Sequence, residues 1–236
     1  MKVISIITAR GGSKGLPGKN IKSFGGKPLI GWTVEQAKGS SYIDDIVVST
    51  DAREIAAVAE KFGGRVPFLR PESLAQDDTP SIDVVINLLK QLEQTEKNLP
   101  DFVVLLQPTS PLRTSADIDA AFEMLLANKS ANAVVSVAEV SENPYSMKML
   151  TNQGFINNFI THGKEYHRRQ DEPAVYKLNG AIYICRTDVL LQSKIFLPEK
   201  TLGYIMPKDR SIDIDDIVDF KLAELIFMEK KAGKSL

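Results

Sequence analysis

MKVISIITARGGSKGLPGKN, residues 1–20, holds the reading on which the fold turns. Residues 2–8 are mostly apolar and β-branched, the pattern of a strand buried on both faces. Residues 10–27 are Gly-rich and polar and predict a loop. Residues 28–38 then place Leu29, Ile30, Thr33, Val34 and Ala37 at helical spacing. Outward from this unit the period keeps switching. Strands are expected at 46–49, 102–107, 133–138, 180–185 and 203–206, and helices at 52–62, 81–94, 116–127 and 216–228. Alternating strands and helices predict an α/β fold, a Rossmann-like mostly parallel sheet with helices on both faces. The whole chain, 1–236, reads as one domain. Residues 141–175 are poor in long apolar runs and too long for a plain loop, so they predict an excursion with short strands, a lid or a dimerisation arm. Asp51 with Glu54 reads as a capping box, Asp78 or Thr79 as the cap of the helix at 81, Thr114 or Ser115 as that of the helix at 116, and Asp216 as that of the last helix.

Composition excludes several classes. The formal net charge of -1 argues against a general polyanion binder, so no nucleic-acid partner is expected. One cysteine, Cys185, rules out a disulfide framework and a cysteine-rich zinc site, and reads as a small core residue. The two histidines, His162 and His167, read as surface groups, and Trp32 as a packing group. The apolar runs are far shorter than the roughly 20 residues of a membrane span. The start meets glycines rather than a cleavage site, so the expectation is a soluble cytoplasmic protein without a membrane partner.

The loop ARGGSKGLPGKN carries the chemistry. Gly11, Gly12, Gly15 and Gly18 alternate with Arg10, Ser13, Lys14, Lys19 and Asn20. Residues 1–34 hold six Lys or Arg and no Asp or Glu. Glycines let backbone approach a ligand, and successive N–H groups form a nest for anions. A polyphosphate fits. The loop leaves the first strand at its carboxyl end, where open α/β sheets bind ligands. It is not a Walker loop, because five residues separate Gly12 from Gly18 and Asn20 follows Lys19, and no window matches GxGxxG. The alternative is a lysine-rich surface turn. Near the other end, SIDIDD sets Asp213 and Asp215 two apart, on one side of an extended chain. Two such carboxylates repel unless a cation lies between them, and Mg²⁺ shared with phosphate oxygens suits the pair, as does Mn²⁺. The alternative, helix-start acids, suits Asp216 better than Asp213.

The run ARGGSKGLPGKN resembles the N-terminal block of the CMP-sialic acid synthetases (acylneuraminate cytidylyltransferases), whose members act on N-acetylneuraminate, legionaminate and pseudaminate. VVSTD at 47–51, FLRPESLAQDDTPS at 68–81, LLQPTSPLR at 105–113, NGAIYI at 179–184 and SIDIDD at 211–216 resemble further blocks of that family in order, over about 1–228. The resemblance implies the nucleotide-diphospho-sugar transferase type of fold and Mg²⁺-dependent transfer of CMP from CTP to the C2 hydroxyl of a nine-carbon acid sugar, with release of pyrophosphate. It implies that Asp213 and Asp215 hold the metal, that one of them helps deprotonate the hydroxyl, and that Arg10, Lys14 and Lys19 hold the triphosphate. Arg70 and Ser81 would lie along the cytidine site, and Gln107, Lys148 and Asn179 by the sugar. Arg169 would reach the pocket of the neighbouring subunit in a homodimer. Arg113 reads either as a site residue or as a surface arginine. Rival readings are a Kdo-type or sugar 1-phosphate nucleotidyltransferase, a glycosyltransferase using the Asp-x-Asp pair, and an inert binding homologue.

Overall fold

A computed structural model of the chain describes residues 1–161, 166 and 168–234. His162, His167 and the side chain of Arg169 lie outside that description. The elements are β1 (Val3–Thr8), the two-residue strands β2 (Ser23–Phe24) and β3 (Lys27–Pro28), α1 (Leu29–Lys38), β4 (Asp45–Ser49), α2 (Arg53–Phe62), α3 (Ser81–Glu96), β5 (Phe102–Leu106), α4 (Ser115–Ala127), β6 (Ala133–Glu139), β7 (Lys148–Leu150), β8 (Ile156–Asn158), β9 (Tyr176–Arg186), α5 (Thr187–Ser193), β10 (Thr201–Ile205) and α6 (Ile217–Lys231). Six strands form one sheet in the order β10-β6-β9-β5-β1-β4. β4, β1 and β5 are mutually parallel, as are β6 and β10, whereas β9 is antiparallel to both β5 and β6.

The mostly parallel sheet expected from the sequence is thus present, with one reversed strand. The reason lies in the excursion. The chain leaves β6 at its carboxyl end, makes the hairpin β7–β8 and two short turns, and shows no crossover helix before β9 among the described residues. A parallel return needs such a crossover, so β9 runs the other way. Its pairing with β6 slips between Val135/Tyr183 and Val137/Leu178, beside Gly180. Gly180 has φ +72, and a Cβ there would stand 3.0 Å from Asp213 Oδ2 and 3.1 Å from Gln107 Oε1. This irregularity beside a cavity is what lets two polar side chains approach the strand.

Helices cover both faces. Ile30 and Val34 of α1, Ile55 and Ala59 of α2, and Ile118 and Phe122 of α4 pack on one face of the sheet. Val85, Leu88, Leu89 and Leu92 of α3 and Leu190 of α5 pack on the other, with Cys185 in the same layer. A third cluster joins Leu16 of the front loop, Phe24, Leu29, Leu112, Ile214 and Phe220 of α6. Burial of each large side chain in it contributes about 1.5–3 kcal/mol. This cluster closes the front loop onto the acidic segment near the end of the chain, and Trp32 packs against it.

Two caps differ from expectation. α2 has Ala52 at its N-cap and α3 has Pro80, neither with a side-chain cap. Asp51 instead accepts a hydrogen bond from the Gly11 amide at 2.9 Å. Thr114 and Asp216 do cap α4 and α6, each in a reciprocal capping box with Asp117 and Asp219 respectively. Among the described residues no helix is long and apolar enough to cross a membrane.

Candidate active site

The carboxyl ends of β4, β1, β5, β6 and β10 share one edge of the sheet, and two cavities open there. The first, about 350 Å³, lies over β1 and β5. Arg10, Ser13, Lys14, Gly15, Lys19 and Asn20 line it from the front loop, Arg70, Asp77 and Ser81 from the segment entering α3, and Gln107 and Thr109 from the turn after β5. The second, about 680 Å³, lies over β6 and β9 and is lined by Glu139, Lys177, Asn179, Lys208, Asp213 and apolar Met147, Leu178 and Leu222. Asp215 lines both. Gly11 and Gly12 do not line the first cavity, and the Gly11 amide is taken by Asp51. Lys148 lines neither cavity; its ammonium donates to Asn158 across the hairpin at 2.5 Å.

The two ends of the chain meet at the junction of the cavities. Lys19 Nζ donates to the Ile214 carbonyl at 2.6 Å and stands 3.9 Å from Asp215 Oδ1. Gly15 packs so closely that a Cβ would lie 2.3 Å from the Asp215 carbonyl oxygen. Ile214 in turn donates its amide to the Thr109 carbonyl at 2.8 Å, which ties the acidic segment to the turn that carries Gln107. Asn20 donates to the Arg10 carbonyl at 2.9 Å and so braces the loop from within.

Asp213 is the more buried of the paired carboxylates. Burial holds its carboxyl above the usual range; the Thr109 hydroxyl opposes the shift, and the Asp215 charge adds to it. Its Oδ1 has no hydrogen-bond partner among the described residues. A buried, orphaned carboxylate oxygen beside a second carboxylate is the local chemistry a hard divalent cation satisfies, so the residues fit Mg²⁺. Among the described residues no group of three or more His, Cys, Asp or Glu could hold a metal. A cation here would therefore take its remaining oxygens from ligand and water.

Several buried residues hold the walls of the cavities in place. Arg70 donates to Ser49 Oγ at 3.1 Å and to the Ser49 carbonyl at 2.5 Å, and burial pushes its pKa down to about 10. Arg113 is not a surface group: it is 1% exposed, and its guanidinium donates to the Ala181 carbonyl at 2.6 Å and Gln36 Oε1 at 2.9 Å. Burial pushes its pKa down to about 9. It braces the end of β5 against β9 rather than a ligand. Asn179 Nδ2 donates to Ser211 Oγ at 3.0 Å and its Oδ1 accepts from Ser136 at 2.6 Å, so this amide anchors the segment leading to Asp213. The sequence reading had no counterpart for Arg210, which donates to both oxygens of buried Asp117 at 2.8 and 3.0 Å. Arg210→Ala takes the counter-ion from a buried carboxylate that keeps its hydrogen bonds from Thr114 and Tyr204, so it is expected to lower the unfolding free energy by about 1–3 kcal/mol, discounted for the partial exposure of the arginine. Urea denaturation checks this; a loss below about 0.5 kcal/mol would show that the pair does not hold this segment.

Comparison with known proteins adds the family. A family model described as cytidylyltransferase matches residues 4–232. The chain is 39% identical over 226 residues to the CMP-N,N'-diacetyllegionaminic acid synthase of Legionella pneumophila, covering 95% of each. It is 35% identical to the N-acylneuraminate cytidylyltransferase of Escherichia coli, over 99% of this chain and 54% of that one. Among solved structures, a CMP:2-keto-3-deoxy-manno-octonic acid synthetase complexed with CTP superposes with a TM-score of 0.70, covering 98% of this chain and 100% of that one at 19% identity, a likeness of fold.

Proposed function

The chain belongs to the cytidylyltransferase family, a family of nucleotidyltransferases, and from that premise we propose that it transfers CMP from CTP to the C2 hydroxyl of a nine-carbon 2-keto acid sugar, with release of pyrophosphate. The observation that carries this reading is the contact of Gly15 and Lys19 with Ile214 and Asp215 at the point where the cavities join. A nucleotide in the first cavity and an acid sugar in the second would meet there.

In this reading the C2 oxygen attacks the α-phosphorus, and the bond from that phosphorus to the bridging oxygen of pyrophosphate breaks. Such a displacement needs positioning and charge stabilisation more than covalent help. Arg10, Lys14 and Lys19 hold the triphosphate and offset charge on the departing pyrophosphate. Arg70 and Ser81 border the cytidine, and Gln107, which lines the first cavity beside Asp213 at Gly180, would meet the sugar where the cavities join. Lys177 and Lys208 give the second cavity cations for the sugar carboxylate, and Met147, Leu178 and Leu222 give it apolar wall. Asp213 and Asp215 hold Mg²⁺, which supplies Lewis-acid polarisation of the α-phosphate when bound. Asp213, at the junction of the cavities, takes the proton of the attacking hydroxyl. Gly15→Ala is expected to lower turnover about 10–100-fold, because the new Cβ pushes the front loop off the acidic segment. Steady-state rates beside an unfolding curve check it, and wild-type turnover would mean that the close approach is dispensable.

A homodimer is part of the proposal. Met147, Met149, Leu150, Phe155, Ile156 and Phe159 are exposed on and around the β7–β8 hairpin, an apolar surface that a second copy would cover. Arg169 would then serve the partner's pocket. Sedimentation should give twice the monomer mass, and Phe155→Asp should shift it toward monomer. A wild-type monomer at micromolar concentration would remove the dimer.

A pyrophosphate-release assay with CTP and MgCl₂ across sialic, legionaminic, pseudaminic and Kdo acids tests the whole. Release with one or more nine-carbon acids is expected. Release with Kdo alone would move the chain to the eight-carbon reading, and CTP binding without any turnover would make it a binding homologue.

A further inference from the structure

Two cations of the first cavity, Arg10 and Lys14, are already paired from within the protein. Arg10 Nη1 lies 2.5 Å from Asp77 Oδ1, and Lys14 pairs with the other oxygen, Oδ2. Asp77 lies in the segment between the turn at Glu72–Leu74 and α3, and it lines the same cavity as the two cations. One carboxylate therefore presents an oxygen to each of two cations, much as a phosphate group does. Bonds from Lys14 and then Arg10 hold its carboxyl below the usual carboxylate range, so it is ionised at neutral pH.

Arg10 and Lys14 are the groups assigned above to the triphosphate, and the inference rests on that reading. Asp77 and a phosphate cannot both sit at these cations without like charges in contact, which is repulsive at such short range. A ligand that binds there does so in exchange for Asp77. We propose that Asp77 is a specificity-determining residue, an internal anion that only a polyphosphate displaces from Arg10 and Lys14. A ligand that carries only base and ribose leaves the Asp77 pairs intact and gains nothing from the two cations. CTP gains their charge net of the lost pairs. Once transfer has occurred, Asp77 returns to the cations as pyrophosphate leaves, which weakens the hold on that product.

The test is calorimetric titration of the intact chain with CTP plus MgCl₂, with pyrophosphate and with cytidine, at fixed ionic strength. Asp77→Asn keeps the shape and removes the charge. Asp78→Asn removes a neighbouring charge that makes no ion pair among the described residues. Asp77→Asn should bind CTP and pyrophosphate about three- to tenfold tighter, as expected for release of two partly exposed ion pairs. Cytidine should bind it as it binds wild type, and Asp78→Asn should match wild type for all three ligands. Wild-type affinity of Asp77→Asn for CTP and pyrophosphate overturns the inference. So does equal tightening by both variants, which would be a general effect of charge, and so does equal tightening for cytidine, which would be a rearranged loop. If wild type binds CTP and only these differences fail, the cytidylyl-transfer reading stands alone; if wild type binds neither CTP nor pyrophosphate, both fall.

Discussion

Lys19→Ala is expected to lower turnover by about 10²–10³-fold, the range found when one preorganised group that stabilises developing charge is removed. Lys19 differs from Arg10 and Lys14 in where its charge is fixed. Its ammonium is anchored by the Ile214 carbonyl at 2.6 Å and faces Asp215 at 3.9 Å, at the junction of the cavities rather than toward the mouth. The side chain is only 13% exposed, so water replaces its charge poorly once it is gone. The loss should fall mainly on kcat, since leaving-group charge develops in the transition state. The fold should survive, because Leu16, Ile214 and Phe220 still close the loop onto α6. Rates with CTP and the active sugar, beside a thermal unfolding curve, check this. Unchanged turnover in a folded variant would take the lysine out of the mechanism.

Asp213→Asn has the larger expected effect on activity and the opposite sign for stability. Loss of one of two carboxylates from the proposed cation site should cost about 10³-fold or more in turnover, as for the removal of a group central to catalysis. The unfolding temperature, measured without divalent ion, should stay level or rise. Asp213 is buried with an unpartnered oxygen, and burial holds its carboxyl above the unfolded value. A raised carboxyl means that the ionised form subtracts from stability above the folded pKa, and that protonation as pH falls through that value removes the penalty. Asn is already neutral. Wild type should also gain unfolding temperature on adding MgCl₂ with CTP, and the variant much less. A variant that is destabilised and still turns over would contradict both halves of this expectation.

The hydrophobic periods carried the strands and helices well because each buries one regular face. Val3–Thr8 and Phe102–Leu106 are buried almost throughout, and α3 buries Val85, Leu88, Leu89 and Leu92 at helical spacing. Strand direction leaves no such trace, so the reversal of β9 was not legible from its own residues; the lack of long apolar runs over 141–175 was the available signal. The helix α5, Thr187–Ser193, is too short to show a period. Caps were legible where a local box exists, as at Thr114 and Asp216, and misleading where a longer contact prevailed, as when Asp51 turned to Gly11. In the site, the basic front loop and the Asp213–Asp215 pair stood out because each is local in sequence. The absence of acids from 1–34 described the sequence and not the fold, since Asp77 arrives from another loop to pair with Arg10 and Lys14. Arg113 stayed open between a site residue and a surface arginine, and Arg210 drew no reading, for the same reason: their partners are set by packing.

The most direct test is a crystal structure of the chain with CTP and MnCl₂, read for anomalous manganese density and for the path of the triphosphate. The account predicts manganese at the carboxylates of Asp213 and Asp215, with the phosphates running between them and the ammonium groups of Lys14 and Lys19. Triphosphate bound away from the front loop, or manganese away from both aspartates, would contradict it.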